Sequence, residues 1–400
     1  MKTPVNLVAA NLIRGRPRKC FAATICVHLW LACASLAQSN VSSITLTGWT
    51  IVTNSNSGAG IATNTGFYVD YVAGSDSNPG TNAVAPWKHC PGDPKATGNA
   101  VTNMPAGSTV FFKGGQSYPL LASNPSPYTA GIAVQNGTSG NPITYDGQTW
   151  TGTKANLTDN YSSYSVIAFA ALSGGMSHVV IKGFDIGPIG GTNPLPADTG
   201  SELTAKPGWG VWSEAGPASD VQILNCDFHE LGYWQNSKPI GPDSFTIANE
   251  PSPAGVEADG WVNCVISNCT FTKVHTGIEA SYIYHAISNL TVAACDIHDY
   301  IVWGIDLASS PSSACMDYVY IHDNKIHDIG WPYGAGWTGY SPSDSGQHQD
   351  PIFDRIGAGG NVAGCNGTNI DIYNNTFYDS EHTDAVATAY VSLEGGVSAN

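Results

Sequence analysis

The chain has 400 residues, 31 of them acidic and 15 basic, for a formal charge of −16. That balance excludes nucleic acid and anionic membrane surfaces as partners, since both would be repelled. Only 12% of residues are charged, while Gly (45) and Pro (24) are abundant. With no long stretch of capped 3.6-residue apolar period, a helical protein is excluded in favour of a loop-rich all-β chain.

The first 37 residues read as a targeting segment. Arg14, Arg16, Arg18 and Lys19 precede an apolar run from Cys20 to Ala34, and Ser35-Leu36-Ala37 supplies small residues for cleavage. The run is too short for a membrane span. Export to the cell surface, periplasm or medium is expected. The segment holds five of the fifteen basic residues and no acid, so ten basic side chains remain against 31 acids, and Arg355 is the last arginine. A polyanionic glycan would then need a cation such as Ca²⁺ to approach.

Residues 38–66 are rich in Ser, Thr, Asn and Gly and read as a linker or leading strand. From residue 110 a short phrase, aliphatic-x-aliphatic, recurs eight times. Its members are Val110/Phe112, Ile143/Tyr145, Val179/Ile181, Val221/Ile223, Cys264/Ile266, Leu290/Val292, Val319/Ile321 and Ile370/Ile372. Each alternates like a strand, and from the third onward an apolar anchor follows: Ile186, Phe228, Phe271, Ile297, Ile326, Phe377. The repeats are 26 to 51 residues long, which predicts a solenoid of about eight coils with variable loops and a constant core. The chain ends within what reads as a further coil, so continuation beyond residue 400 is expected.

Two further columns follow from that alignment. Gly114, Gly147, Gly183, Asn225 and Asn268 share a tight corner, where Asn tolerates left-handed backbone. Cys226, Cys269 and Cys295 share the position two before the anchor, followed by Asn324 and Asn375, and read as buried thiols. Cys315 and Cys365 precede successive repeats at similar offsets and form a candidate disulfide. His298-Asp299 and His327-Asp328 recur in successive coils and read as turn residues bonding one another rather than as metal ligands.

Residues 67–115 carry a separate signature: Tyr68-Val69-Asp70, Gly74-Ser-Asp-Ser-Asn-Pro-Gly-Thr81, Pro86-Trp87-Lys88-His89 and Pro105 to Gly115. This stretch resembles the amino-terminal segment of secreted right-handed parallel β-helix proteins of the pectate-lyase-like superfamily, which includes polysaccharide lyases and glycoside hydrolases. The resemblance implies a cap and first coil over residues 67–115, then a parallel β-helix with loop insertions over residues 116–400. It says little about substrate.

A second repeat, Gly-aliphatic-x, carries the chemistry. Gly210-Val211-Trp212, Gly255-Val256-Glu257, Gly277-Ile278-Glu279 and Gly304-Ile305-Asp306 are expected to continue in Gly346-Gln347-His348. If the aliphatic residue faces the core, alternation turns Trp212, Glu257, Glu279, Asp306 and His348 outward in one column. Glu214, Asp259 and Asp350 lie two positions further on. Carboxylates one rung apart, about 5 Å, cannot all ionise freely. One holds a proton or a cation sits among them.

Those are the requirements of glycoside hydrolysis, which pairs a protonated acid with an ionised carboxylate. The candidate catalytic residues are Glu257, Glu279, Asp306, His348 and Asp350. Trp212, Trp303, Trp337 and Arg355 are candidates for binding sugar. No cofactor is required in that reading, and the chain is expected to act as a monomer on a polysaccharide. In a lyase reading, Glu257, Glu279 and Asp306 become Ca²⁺ ligands, and Lys273, Arg355 or His348 the base. A non-catalytic glycan-binding or adhesin-like solenoid is the third reading. The Asn-x-Asp, Asp-Asp and Gly-His-Gly pattern of polygalacturonases is absent.

Overall fold

The structure is a computed structural model that describes residues 43–46, 49–52, 65–120, 129–159, 166–171, 174–189, 208–213, 216–231, 234–235, 238–239, 254–258, 260–280, 285, 287–300, 303–307, 316–328, 350–356, 368–378 and 391–395. It divides into two units, Met1–Ile61 and Ala62–Asn400. In the first, Ser43–Leu46 and Trp49–Val52 form an antiparallel hairpin, where the sequence suggested a linker or single strand. The targeting segment, Cys315 and Cys365 lie outside the described residues. Among those residues no helix is long and apolar enough to cross a membrane.

The second unit is a right-handed parallel β-helix. Among the described residues, three sheets of nine, eight and eight strands each run in strict chain order, so successive coils add one strand to each sheet. Parallel strands joined this way need a crossover, and the twist of L-residue strands makes it right-handed. The coil built from Ala218–Leu224, Asp227–Leu231 and Ala254–Ala258 is typical: its strands sit beside Trp261–Ser267, Thr270–Val274 and Thr276–Glu279 of the next. The eightfold phrase lies in the first sheet, with Val179, Val221, Leu290, Val319 and Ile370 in register. The first member is an exception. Val110 pairs with Tyr145, not Ile143, so the early rung is shifted by two and keeps its inward facing.

The interior is filled by columns of like residues. Ile181, Ile223, Ile266, Val292 and Ile321 are fully buried, and Phe228 stacks on Phe271 at 4.8 Å. Each such side chain contributes about 1.5–3 kcal/mol on burial. The thiols are free and buried, as expected. Their column does a defined task. Cys226, Cys269 and Cys295 each direct Sγ to the carbonyl of Ile181, Ile223 and Ile266 respectively, at 3.6–3.9 Å. Asn324 and Asn375 continue the pattern with firmer donors, Nδ2 to Val292 O at 3.0 Å and to Ile321 O at 2.8 Å.

The corners are left-handed. Gly183, Asn225, Asn268, Ala294, Asp323 and Asn374 have φ between 53° and 70° at the turn between first and second sheets. Asn268 Nδ2 donates to Asn225 Oδ1 at 3.2 Å along that column. A second left-handed column breaks the first sheet itself at His178, Asp220, Asn263, Asn289, Tyr318 and Asn369, each set between two paired positions. It bends these six strands at the same place.

Candidate active site

The third sheet positions the acids. Its register places Trp212 beside Glu257, Glu257 beside Glu279, and Glu279 beside Asp306. Neighbours therefore stand one strand spacing apart, about 4.8 Å at the backbone. The glycine of each Gly-aliphatic-x triplet explains why the motif repeats. A Cβ on Gly277 would lie 2.4 Å from the Gly304 carbonyl oxygen, and one on Gly255 would lie 2.5 Å from the Phe271 ring. Only glycine lets the strand enter so close to the coil above, and Val256, Ile278 and Ile305 then plug the core.

The column continues differently from the sequence expectation. Ile352 pairs with Ile305 and Phe353 with Asp306, so the next rung is Phe353 rather than His348. Pro351 stands where the preceding coils have glycine, and Ile352 is the inward residue. Gly346-Gln347-His348 imitates the triplet without an aliphatic centre. His348 lies outside the described residues, as do Glu214, Asp259 and Trp337. Asp350 is placed at the opposite end of its strand from that expected. Its carbonyl accepts the N–H of Gly304 at 3.2 Å, which puts it level with Trp303.

Despite facing away from the core, the acids are not on an open face. Glu279 is 2% exposed and Asp306 fully buried, while Glu257 is half-buried. Asp350 is buried too. Three residues earlier, Ala254, Thr276 and Trp303 also pair in register. Trp209 and Trp212 close one end of the ladder. Their rings stack at 5.2 Å and 9°, over Ala130, Ile167 and Ala170 in an apolar cluster separate from the main core. Trp209 Nε1 donates to Glu257 Oε2 at 2.8 Å. Sequence reading marked Trp212 for sugar contact. The structure buries it to 8% exposure, and the polar contact to the ladder is made by Trp209.

Other named residues lie elsewhere. Lys273 sits at a left-handed corner of the second sheet, 3.6 Å from Glu230. Arg355 lies in the strand Ile352–Ile356, level with Glu394. His298 and His327 stack at 4.9 Å on the second sheet and pair with Asp299 and Asp328 through Nδ1, at 2.8 and 2.5 Å. These are the self-bonding turn residues the sequence suggested. Nearby, burial pushes His275 down to about 3, so that imidazole is neutral. Among the described residues, no group of three or more His, Cys, Asp and Glu converges to hold a metal ion.

No protein-family model matches the chain, and no curated protein matches its sequence. Among solved structures, one described as a rhamnogalacturonan lyase aligns over 82% of this chain and 86% of its own, at 14% identity and a TM-score of 0.42. A GH136 lacto-N-biosidase from Eubacterium ramulus aligns over 79% of this chain and 68% of its own, at 12% identity and a TM-score of 0.36. Neither likeness bears on the chemistry of the acidic ladder.

Proposed function

We propose that the chain is an exported enzyme that cleaves polysaccharide by glycoside hydrolysis at the Glu257–Glu279–Asp306 ladder. The observation that carries this reading is the register of the third sheet, which stacks three carboxylates on consecutive rungs with two of them withdrawn from water. At about 4.8 Å spacing their charges repel, and burial adds to the cost of ionisation, so at least one proton is retained near neutral pH. A protonated acid beside an ionised carboxylate is the pair that glycosidic cleavage requires. The low content of basic side chains supports a neutral glycan over a uronate.

The test is reducing-end release from a panel of neutral and uronate polysaccharides, with and without Ca²⁺. New reducing ends from a neutral glycan, insensitive to chelator, are the expected result. An unsaturated product that disappears with chelator would replace hydrolysis by β-elimination. Binding with no product at all would leave a glycan-binding solenoid.

A further inference from the structure

The three carboxylates are chemically alike in sequence but not in place. Glu279 is the middle rung, with a carboxylate on the strand to either side. Glu257 and Asp306 are end rungs whose outer neighbours are Trp212 and Phe353. With an acidic rung on each side of it, Glu279 is the position at which a retained proton is favoured. Its 2% exposure acts in the same direction, since burial disfavours the charged form.

Glu257 is biased the other way. An indole N–H can only donate, so the 2.8 Å contact from Trp209 requires Glu257 Oε2 to be an acceptor. The length is that of an ordinary N–H···O bond, and a donor held against a carboxyl oxygen favours its ionised form. Trp209 is itself held fast, 1% exposed and stacked on Trp212 over Ile167 and Ala170. The donor is therefore in place before any substrate arrives.

We infer that Trp209 is a positioning residue that keeps Glu257 ionised as nucleophile beside Glu279 as acid and base, and that hydrolysis proceeds with retention of anomeric configuration. The inference rests on the hydrolase reading above. Adjacent rungs are about 4.8 Å apart at the backbone, a spacing from which two carboxyl groups can take up the retaining separation of roughly 5–5.5 Å. Glu257 and Asp306 stand two rungs apart, about 10 Å at the backbone. In the first step a Glu257 oxygen attacks the anomeric carbon. The glycosidic C–O bond breaks, and Glu279 gives its proton to the departing oxygen. In the second, water attacks the same carbon while Glu279 takes up its proton. The ester bond to Glu257 breaks, returning the carboxylate and releasing a hemiacetal with two inversions.

The experiment uses the full chain on the neutral polysaccharide that it hydrolyses in the panel, with early products read by proton NMR. Wild type is expected to release the anomer of the bond cleaved. Trp209→Phe keeps the ring but removes the N–H. It is expected to lower turnover about tenfold or more and to move the acidic limb of the pH–rate profile upward by about one unit, with melting little changed. As a readout without substrate, the pH titration of tryptophan fluorescence should lose one acidic transition in both Trp209→Phe and Glu257→Gln. Inverted product from active enzyme would overturn the assignment while leaving hydrolysis standing. An unmoved acidic limb and an unmoved fluorescence transition would remove Trp209 from its role. Absence of new reducing ends across the panel would overturn hydrolysis, and this inference with it.

Discussion

Asn324 ties its own coil to the preceding one through Cys295 and Val292. The Cys295 N–H donates to Asn324 Oδ1 at 2.9 Å, and Asn324 Nδ2 donates to the Val292 carbonyl at 3.0 Å. One side chain thereby serves a donor and an acceptor buried within the solenoid.

Removing that side chain leaves both partners short of a hydrogen bond in a dry interior. Asn324→Ala is expected to cost about 2–4 kcal/mol in chemical denaturation, since each buried polar group left unsatisfied costs about 1–3 kcal/mol. Asn324→Cys should cost less, because the thiol column makes the carbonyl contact in three neighbouring coils. Equal losses in the two variants would contradict this account.

Gly277 has no room for a methyl group. A Cβ there would meet the Gly304 carbonyl oxygen at 2.4 Å, and that oxygen belongs to the backbone. Gly277→Ala is expected to destabilise by about 1–3 kcal/mol through forced backbone movement. It should also lower turnover more than stability alone explains, because Glu279 is two residues away. Thermal melting and turnover measured on the same preparation check both.

Glu279→Gln removes the proposed proton donor from a crowded, buried position. Turnover should fall by about 10²–10⁴-fold, the usual worth of general acid–base catalysis. Melting should hold or rise, since a repulsive neighbour is gone. Asp306→Asn relieves Glu279 of one of its two acidic neighbours. It should move the basic limb of the pH–rate profile downward by about one unit. Full activity in both variants would end the hydrolase reading.

Asp76 makes the entry segment acid-sensitive. Burial pushes its carboxyl upward. Hydrogen bonds from the His89 side chain and from the backbone N–H groups of His89 and Thr97 outweigh that and hold it below the usual 3.8. A carboxylate lowered in the fold contributes stability above its unfolded value, and that stability drains away as pH falls through the folded value. Unfolding midpoints should therefore drop below about pH 4 in wild type and drop less in Asp76→Asn.

His298 and His275 act in opposite senses. The hydrogen bond that the His298 ring donates to Asp299 raises His298, so its stabilisation is present below the unfolded value near 6.5 and is lost as pH rises through the folded one. Burial lowers His275 to about 3, so its contribution is present above 6.5 and is lost as pH falls toward 3. His298→Gln should flatten the alkaline side of the stability profile, and His275→Gln the acidic side. Interchanged effects would refute the assignment.

The coil and the ladder were legible for one reason. Val256, Ile278 and Ile305 must fill the core, and alternation then fixes Glu257, Glu279 and Asp306 beside them. Where the centre of the triplet is not aliphatic the logic fails, and His348 was aligned on a glycine while Ile352 held the true inward position. The left-handed column of the first sheet has no sequence signature, because its members include His178 and Tyr318, which are not turn formers. There, pairing on both sides imposes the backbone on whatever residue is present. The role of Trp209 was hidden for another reason. Its partner lies 48 residues on in the chain, and no local spacing encodes a contact made across one coil.

The glycine column that admits no side chain has a consequence for how such a catalyst changes. With the strands locked at one pitch, a carboxylate shifted to another coil moves by a whole step and never by a fraction. The separation between two acids is thus a digital quantity. An acid introduced at Trp212 or Phe353 would switch the partnership in a single substitution, without any intermediate geometry to pass through.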